Sequence, residues 1–160
     1  MSAGAAHGDD GPDADAIAAW IVERYPDVAV ASAGGGRFFS CDADKHWPNL
    51  ARIVTTDDFD QASDLSRDGV FRLNIGVSRA TFDKRLGPGA LEAEHDYTAL
   101  DRLLPHPLYG RQHWLSILNP SAATFETIVI PLLDEAHAIV AARYGQLQQR
   151  QAAPLEDAQA

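Results

Sequence analysis

LSRDGVFRLNIGVSRATF, residues 65 to 82, is the stretch whose reading decides the fold. Asp68-Gly69 has turn chemistry. VFRLNIGV (70–77) then alternates with a period of two, which predicts a strand. Phe71, Leu73, Ile75 and Val77 share the face expected to meet the core; Val70, Arg72, Asn74 and Gly76 share the other. Ser78 is placed to cap a short helix, ATFDKRL, which Gly87 and Pro88 end. A strand handing over to a helix, with two strong polar groups on its second face, is the frame for the rest.

Upstream, Asp13 caps a helix expected to run to about Tyr25. Ile17, Trp20, Ile21 and Arg24 recur at helical spacing, so Trp20 is expected to anchor it to a sheet. Pro26 and Asp27 stop it. VAVASA (28–33) and RFFS (37–40), separated by Gly34, Gly35 and Gly36, read as a hairpin. The glycines lack the spacing of a dinucleotide or P-loop fingerprint. Residues 41–50 read as loop, and ARIVTT (51–56) as a third strand.

Downstream, residues 89–96 form an acidic loop, TALDRLL (98–104) reads as a helical turn or two, and HWLSIL (113–118) as a buried strand. Helix follows from Ala122, with a break expected where Pro131 removes an amide, and continues to about Gln149. Leu132, Leu133, Ala136, Ile139, Val140, Arg143 and Tyr144 supply its core stripe. The predicted class is α+β: a single, mostly antiparallel sheet of about five strands. An N-terminal helix, short connecting helices and a long C-terminal helix pack on it. The expected organisation is a disordered segment over 1–12, one domain over 13–149, and a disordered tail over 150–160.

The 160 residues suffice for one domain with a real core. The formal charge is −10, but Asp9, Asp10, Asp13, Asp15, Glu156 and Asp157 account for six of those charges, leaving −4 over 16–150. That balance disfavours nucleic acid and anionic membrane surfaces, both of which need basic residues. One cysteine, Cys41, excludes an internal disulfide. No apolar run approaches the roughly 20 residues of a membrane span, and the first residues do not read as a signal peptide. The expected location is the cytoplasm.

Arg72 and Asn74 are the leading candidates for chemistry. Two residues apart on one strand, they project the same way and offer donors and an acceptor to one ligand. Against that stands a solvated face, or pairing of Arg72 with an aspartate of the 57–68 loop. The six histidines form no HxH, HxxxH or HExxH word. His106 and His113 flank the 107–112 loop and can converge, with Asp64 or Asp101 as an oxygen ligand. Without ligand spacing, no metal and no cofactor are expected. Ser40, Cys41, Ser63 and Ser116 lack any nucleophile motif. Glu92, Glu94 and Asp96 read as a solvated loop. Trp47 and Trp114 can line an aromatic pocket, although Trp114 fits a core strand better.

The words RIVTTD (52–57), ASDLSRDGVFRLNIGVS (62–78), DYTALDRLLPHPLY (96–109), HWLSILNPS (113–121) and TFETIVIPLLDEA (124–136) resemble an uncharacterised, mostly actinobacterial family, domain of unknown function 6194. The resemblance implies no activity, cofactor or catalytic residue. A more distant likeness is to the MmcQ/YjbR-like fold, with its strand, short helix, tryptophan-led strand and long final helix. Two functions follow as expectations. The first is a non-catalytic module binding a small polar or anionic ligand, or a partner protein, through Arg72, Asn74, His106, His113 and Asp64. The second is a small enzyme that anchors an anionic substrate on Arg72, with a histidine as general acid or base. DNA binding is least favoured. A common concave pocket for Arg72, Asn74 and a histidine would favour the enzyme. Composition leaves the oligomeric state open.

Overall fold

The computed structural model describes residues 11–42 and 48–159, with side chains as far as Arg150. Most of the 1–12 segment, His7, His46 and Trp47 lie outside the described residues.

Helix α1 (Ala14–Arg24) starts where Asp13 accepts the amide of Ala16, and buries Ile17 and Ile21. Strands β1 (Ala29–Ala33), β2 (Gly36–Ser40) and β3 (Asn49–Val54) follow; β4 (Arg72–Gly76) leads into helix α2 (Arg79–Leu86). Ser78 caps α2 by accepting the amide of Thr81, as its chemistry predicts. Strand β5 (Leu104–Pro105) and β6 (Trp114–Leu118) complete a six-stranded sheet in the order β1-β2-β3-β4-β6-β5. Each strand pairing is antiparallel. The architecture is α+β.

The sixth strand comes from a stretch expected to be helical. Leu100 bridges Leu118, Asp101 takes a left-handed backbone, and Leu104 and Pro105 pair with Ser116 and Leu115. The apolar spacing of TALDRLL suits a helix, but Pro105 cannot continue one, and the open side of β6 offers ladder partners instead.

The expected break at Pro131 takes a specific form. Helix α3 (Ala122–Thr124) passes through a π-helical turn, Phe125–Val129, into helix α4 (Ile130–Gln159). Ile130 donates to the carbonyl of Phe125, five residues back. A proline lacks the amide that would reach Thr127 and crowds that carbonyl, and the widened turn relieves both problems. The helical backbone continues beyond Gln149 to Gln159.

The main core lies between one sheet face and the helices. Phe71, Leu73, Ile75 and Val77 meet Leu132, Leu133, Ala136 and Val140 of α4, as the two periodicities predict. Ile139 is exposed instead, and so is Arg143. Trp20 packs against the main core and edge-on against Tyr25 and Phe125, so it also joins α1 to the π turn. The second sheet face is not solvated: Arg72 and Asn74 are each 2% exposed. Residues 57–71 and the segment after β5 cover that face, and it carries the site.

Candidate functional site

On the second face, Phe38, Arg52, Asn74 and Ser116 stand opposite one another in a single cross-strand row, and Arg72 stands in the next row opposite Val54. Two loops roof these rows. In the first, Asp57 accepts the amide of Leu65 and Asp60 that of Ala62, which turns Asp60 and Ser63 inward. Asp60 then takes Arg72 in a two-pronged ion pair at 2.9 and 2.6 Å, Ser63 Oγ accepts a third bond, and Asn74 Oδ1 accepts from Arg72 Nε. Of the five guanidinium N–H groups, four are engaged this way. The Arg72 guanidinium holds the Asp60 carboxyl below its ordinary range, with burial opposing. The pairing of Arg72 with a loop aspartate is therefore observed, and the partner is Asp60.

The second loop is built on His106. Its Nδ1 accepts the amides of Leu108 and Tyr109, each at 3.0 Å. A nitrogen that accepts cannot carry the proton, so Nε2–H is the donor. Nε2 has no hydrogen-bond partner among the described residues. Burial pushes His106 down to about 4; Arg72 and Arg52 act the same way and Asp60 opposes. At neutral pH the ring is an uncharged donor.

Arg52 is the residue that sequence reasoning passed over. Its guanidinium carbon sits 5.5, 5.9 and 5.2 Å from the ring centres of Phe38, Tyr109 and Trp114. It has no hydrogen bond and no carboxylate partner among the described residues, and its Nε is enclosed and unpaired. Burial lowers its pKa, with Tyr109 opposing. Three rings offer a guanidinium π-faces but no acceptor, so the enclosed Nε–H stays without a hydrogen bond. A signal was present in the sequence: Arg52 interrupts an apolar strand with the parity of Val54.

Arg52, Asp60, Arg72, Asn74, His106 and Tyr109 line one cavity of about 90 Å3. By comparison, one water needs ~15 Å3. The donors left over in it are Arg52, His106 Nε2 and the Asn74 amide, whose oxygen is held by Arg72. The single carboxylate, Asp60, is neutralised by Arg72. Phe59, Leu108 and Tyr109 stand exposed at its mouth. Such a lining suits an anion with an apolar portion.

The structure thus brings together Arg72, Asn74 and His106. His113 lies elsewhere, packed edge-on against Phe82 with a left-handed backbone. Asp64 accepts the Ser66 hydroxyl in a turn of its own, and Asp101 accepts the amide of Ser121. The convergence of His106 and His113 on Asp64 or Asp101 is not observed among the described residues. Ser40, Ser63 and Ser116 are buried and bond Asp42, Arg72 and Pro105, and none of these bonds goes to a histidine. Glu92 and Glu94 are exposed. Trp114 is half-buried against Arg52 rather than in the main core.

No helix among the described residues is long and apolar enough to cross a membrane. No curated protein and no solved structure matches the chain. Residues 12–151 match the family described as "Family of unknown function (DUF6194)", and the chain belongs to that family.

Proposed function

We propose that this protein is a non-catalytic binding module for a small anion, a carboxylate or phosphate with an apolar portion, held in the Arg52 cavity. The observation that carries this reading is the half-buried, unpaired Arg52 among donor groups. A half-buried guanidinium whose enclosed Nε–H has no acceptor is unfavourable, and an anion is the ligand that relieves it. Arg72 then acts chiefly as the post that orients Asn74, and the apolar portion rests on Phe59, Leu108 and Tyr109. The enzyme reading has less support. His106 is neutral, its Nδ1 is spent on backbone amides, and His113 is outside the cavity. A cytoplasmic location belongs to the same proposal, supported by the lone free cysteine. The order of β4, α2, β6 and α4 supports the likeness to the MmcQ/YjbR-like fold.

The test is a thermal-shift screen of small aliphatic and aromatic carboxylates and inorganic phosphate, followed by titration calorimetry of the hits. Arg52→Ala should reduce affinity at least tenfold while the fold, read by circular dichroism, is unchanged. Undiminished binding by the Arg52→Ala protein would sink the reading.

A further inference from the structure

On the helix side of the sheet, away from the anion cavity, three elements bring metal-ligating side chains to one point. Asp27 lies in the turn after α1, Cys41 directly follows β2, and His137 is on α4. Their ligating atoms all lie within 4.8 Å of one another. His137 Nε2 is 2.8 and 3.0 Å from the two Asp27 oxygens, and Cys41 Sγ is 3.7 Å from Asp27 Oδ2. We propose that Asp27, Cys41 and His137 bind a divalent ion of the zinc class, with one coordination position left to water.

Two of the three edges of the ligand set are close to those of a tetrahedral ion, and the third, from Cys41 to His137, lies within 4.8 Å. Tetrahedral zinc, with bonds of about 2.3 Å to sulfur and about 2.0 Å to nitrogen and oxygen, sets the O···N edge at about 3.3 Å and the S···O edge at about 3.5 Å. The observed edges of 2.8 to 3.0 Å and 3.7 Å differ from these by about half an ångström or less. The positions are also held by contacts outside the ligand set. Tyr25 stacks on the His137 ring at 4.4 Å and 17°, which fixes the ring plane, and donates to Asp134 at 2.6 Å. Arg24 binds the same Asp134 at 3.0 and 2.9 Å, tying the end of α1 to α4. The site is reachable, with the His137 and Asp27 side chains 23% and 51% exposed.

An Asp27–His137 ion pair alone would account for two of the three groups, but it leaves the thiol aimed at a carboxylate over a 3.7 Å contact. An ion replaces that weak contact with bonds to all three. Thiolate, imidazole and carboxylate together suit zinc or cobalt, whereas magnesium and calcium take oxygen ligands. The separations of 14 and 96 residues along the chain explain why no metal word is visible in the sequence.

The experiment is titration of the full, reduced chain with Co2+. A 1:1 complex with a thiolate-to-cobalt charge-transfer band is expected, displaced by Zn2+ and unaffected by Mg2+. Asp27→Asn and His137→Gln should each weaken Co2+ at least tenfold, and Zn2+ should protect Cys41 of the parent chain from alkylation by iodoacetamide. Arg52→Ala should bind cobalt like the parent. Absence of the band, or equal affinity in the Asp27→Asn and His137→Gln proteins, overturns the proposal. The alkylation readout on the parent chain decides the matter independently of how the variants fold: no protection by Zn2+ also overturns it.

Discussion

Arg52 and Arg72 stand diagonally on adjacent strands of one sheet face, and Arg72 is nearly saturated with hydrogen bonds while Arg52 has no hydrogen-bond or carboxylate partner among the described residues. The pair therefore contrasts an arginine held by its neighbours with one to which the proposed function gives the ligand. Arg72 is almost fully enclosed with Asp60, so removing either partner strands a buried charge. Arg72→Ala is expected to lose about 3–5 kcal/mol of stability in urea denaturation. Arg52→Met keeps a stem among the three rings and removes a desolvated charge. Its stability should lie within about 1 kcal/mol of the parent. Similar losses in the two proteins would contradict this division of roles.

His106 makes stability depend on pH in a defined window. Its folded value of about 4 is below its ordinary 6.5, so between those values the unfolded chain binds more protons. The contribution is present above pH 6.5 and lost as pH falls toward 4. The groups facing it are Arg72 and Arg52, which disfavour its charging, and Asp60, which favours it. From pH 7 to pH 5 the loss should be roughly 2 kcal/mol. His106→Gln should be less stable at pH 7, because two amides lose their acceptor geometry, yet flatter across that interval. Denaturation curves at several pH values read the slope. An unchanged slope in the variant would place the acid sensitivity elsewhere.

The alternation of VFRLNIGV was enough to assign both faces of β4, because a period of two leaves no freedom once one face is apolar. Burial of the second face was not legible, since its cover comes from residues 57–71 and 106–112 rather than from a helix. The acidic loop offered several equivalent aspartates. Which of them reaches Arg72 depends on Asp57 closing the loop onto Leu65, a contact with no sequence signature. Arg52 was missed for a related reason: its importance lies in an absent partner and in rings contributed from positions 38, 109 and 114. Pro131 announced a break, but only the structure shows that a π turn absorbs it.

Gly76 supports the ring cage from below. A Cβ at this position would lie 3.1 Å from the indole of Trp114, and that indole flanks the Arg52 guanidinium. Gly76→Val must push the ring aside, an overpacking expected to remove about 1–3 kcal/mol. Near-ultraviolet circular dichroism should change with the indole setting, and anion affinity should fall although no lining residue has been replaced. An unaltered spectrum with unaltered affinity would mean that the cage tolerates the ring's displacement.

Glu135 joins α4 to the start of α2. Its carboxylate accepts the amide of Ser78 at 2.9 Å and the hydroxyl of Thr81 at 2.6 Å, so both its oxygens act at the first turn of a helix. A negative group there also meets the positive end of the helix dipole. Glu135→Ala should therefore cost about 1.5–3 kcal/mol, in the range of hydrogen bonds to charged groups. Thr81→Val keeps the shape and removes the hydroxyl, and the two changes share one bond. A double-mutant cycle in urea should show them to be non-additive by ~0.5 kcal/mol or more. Additive losses would mean that Thr81 and Glu135 are each solvated independently, and that α2 is held by the Ser78 cap and Phe82 alone.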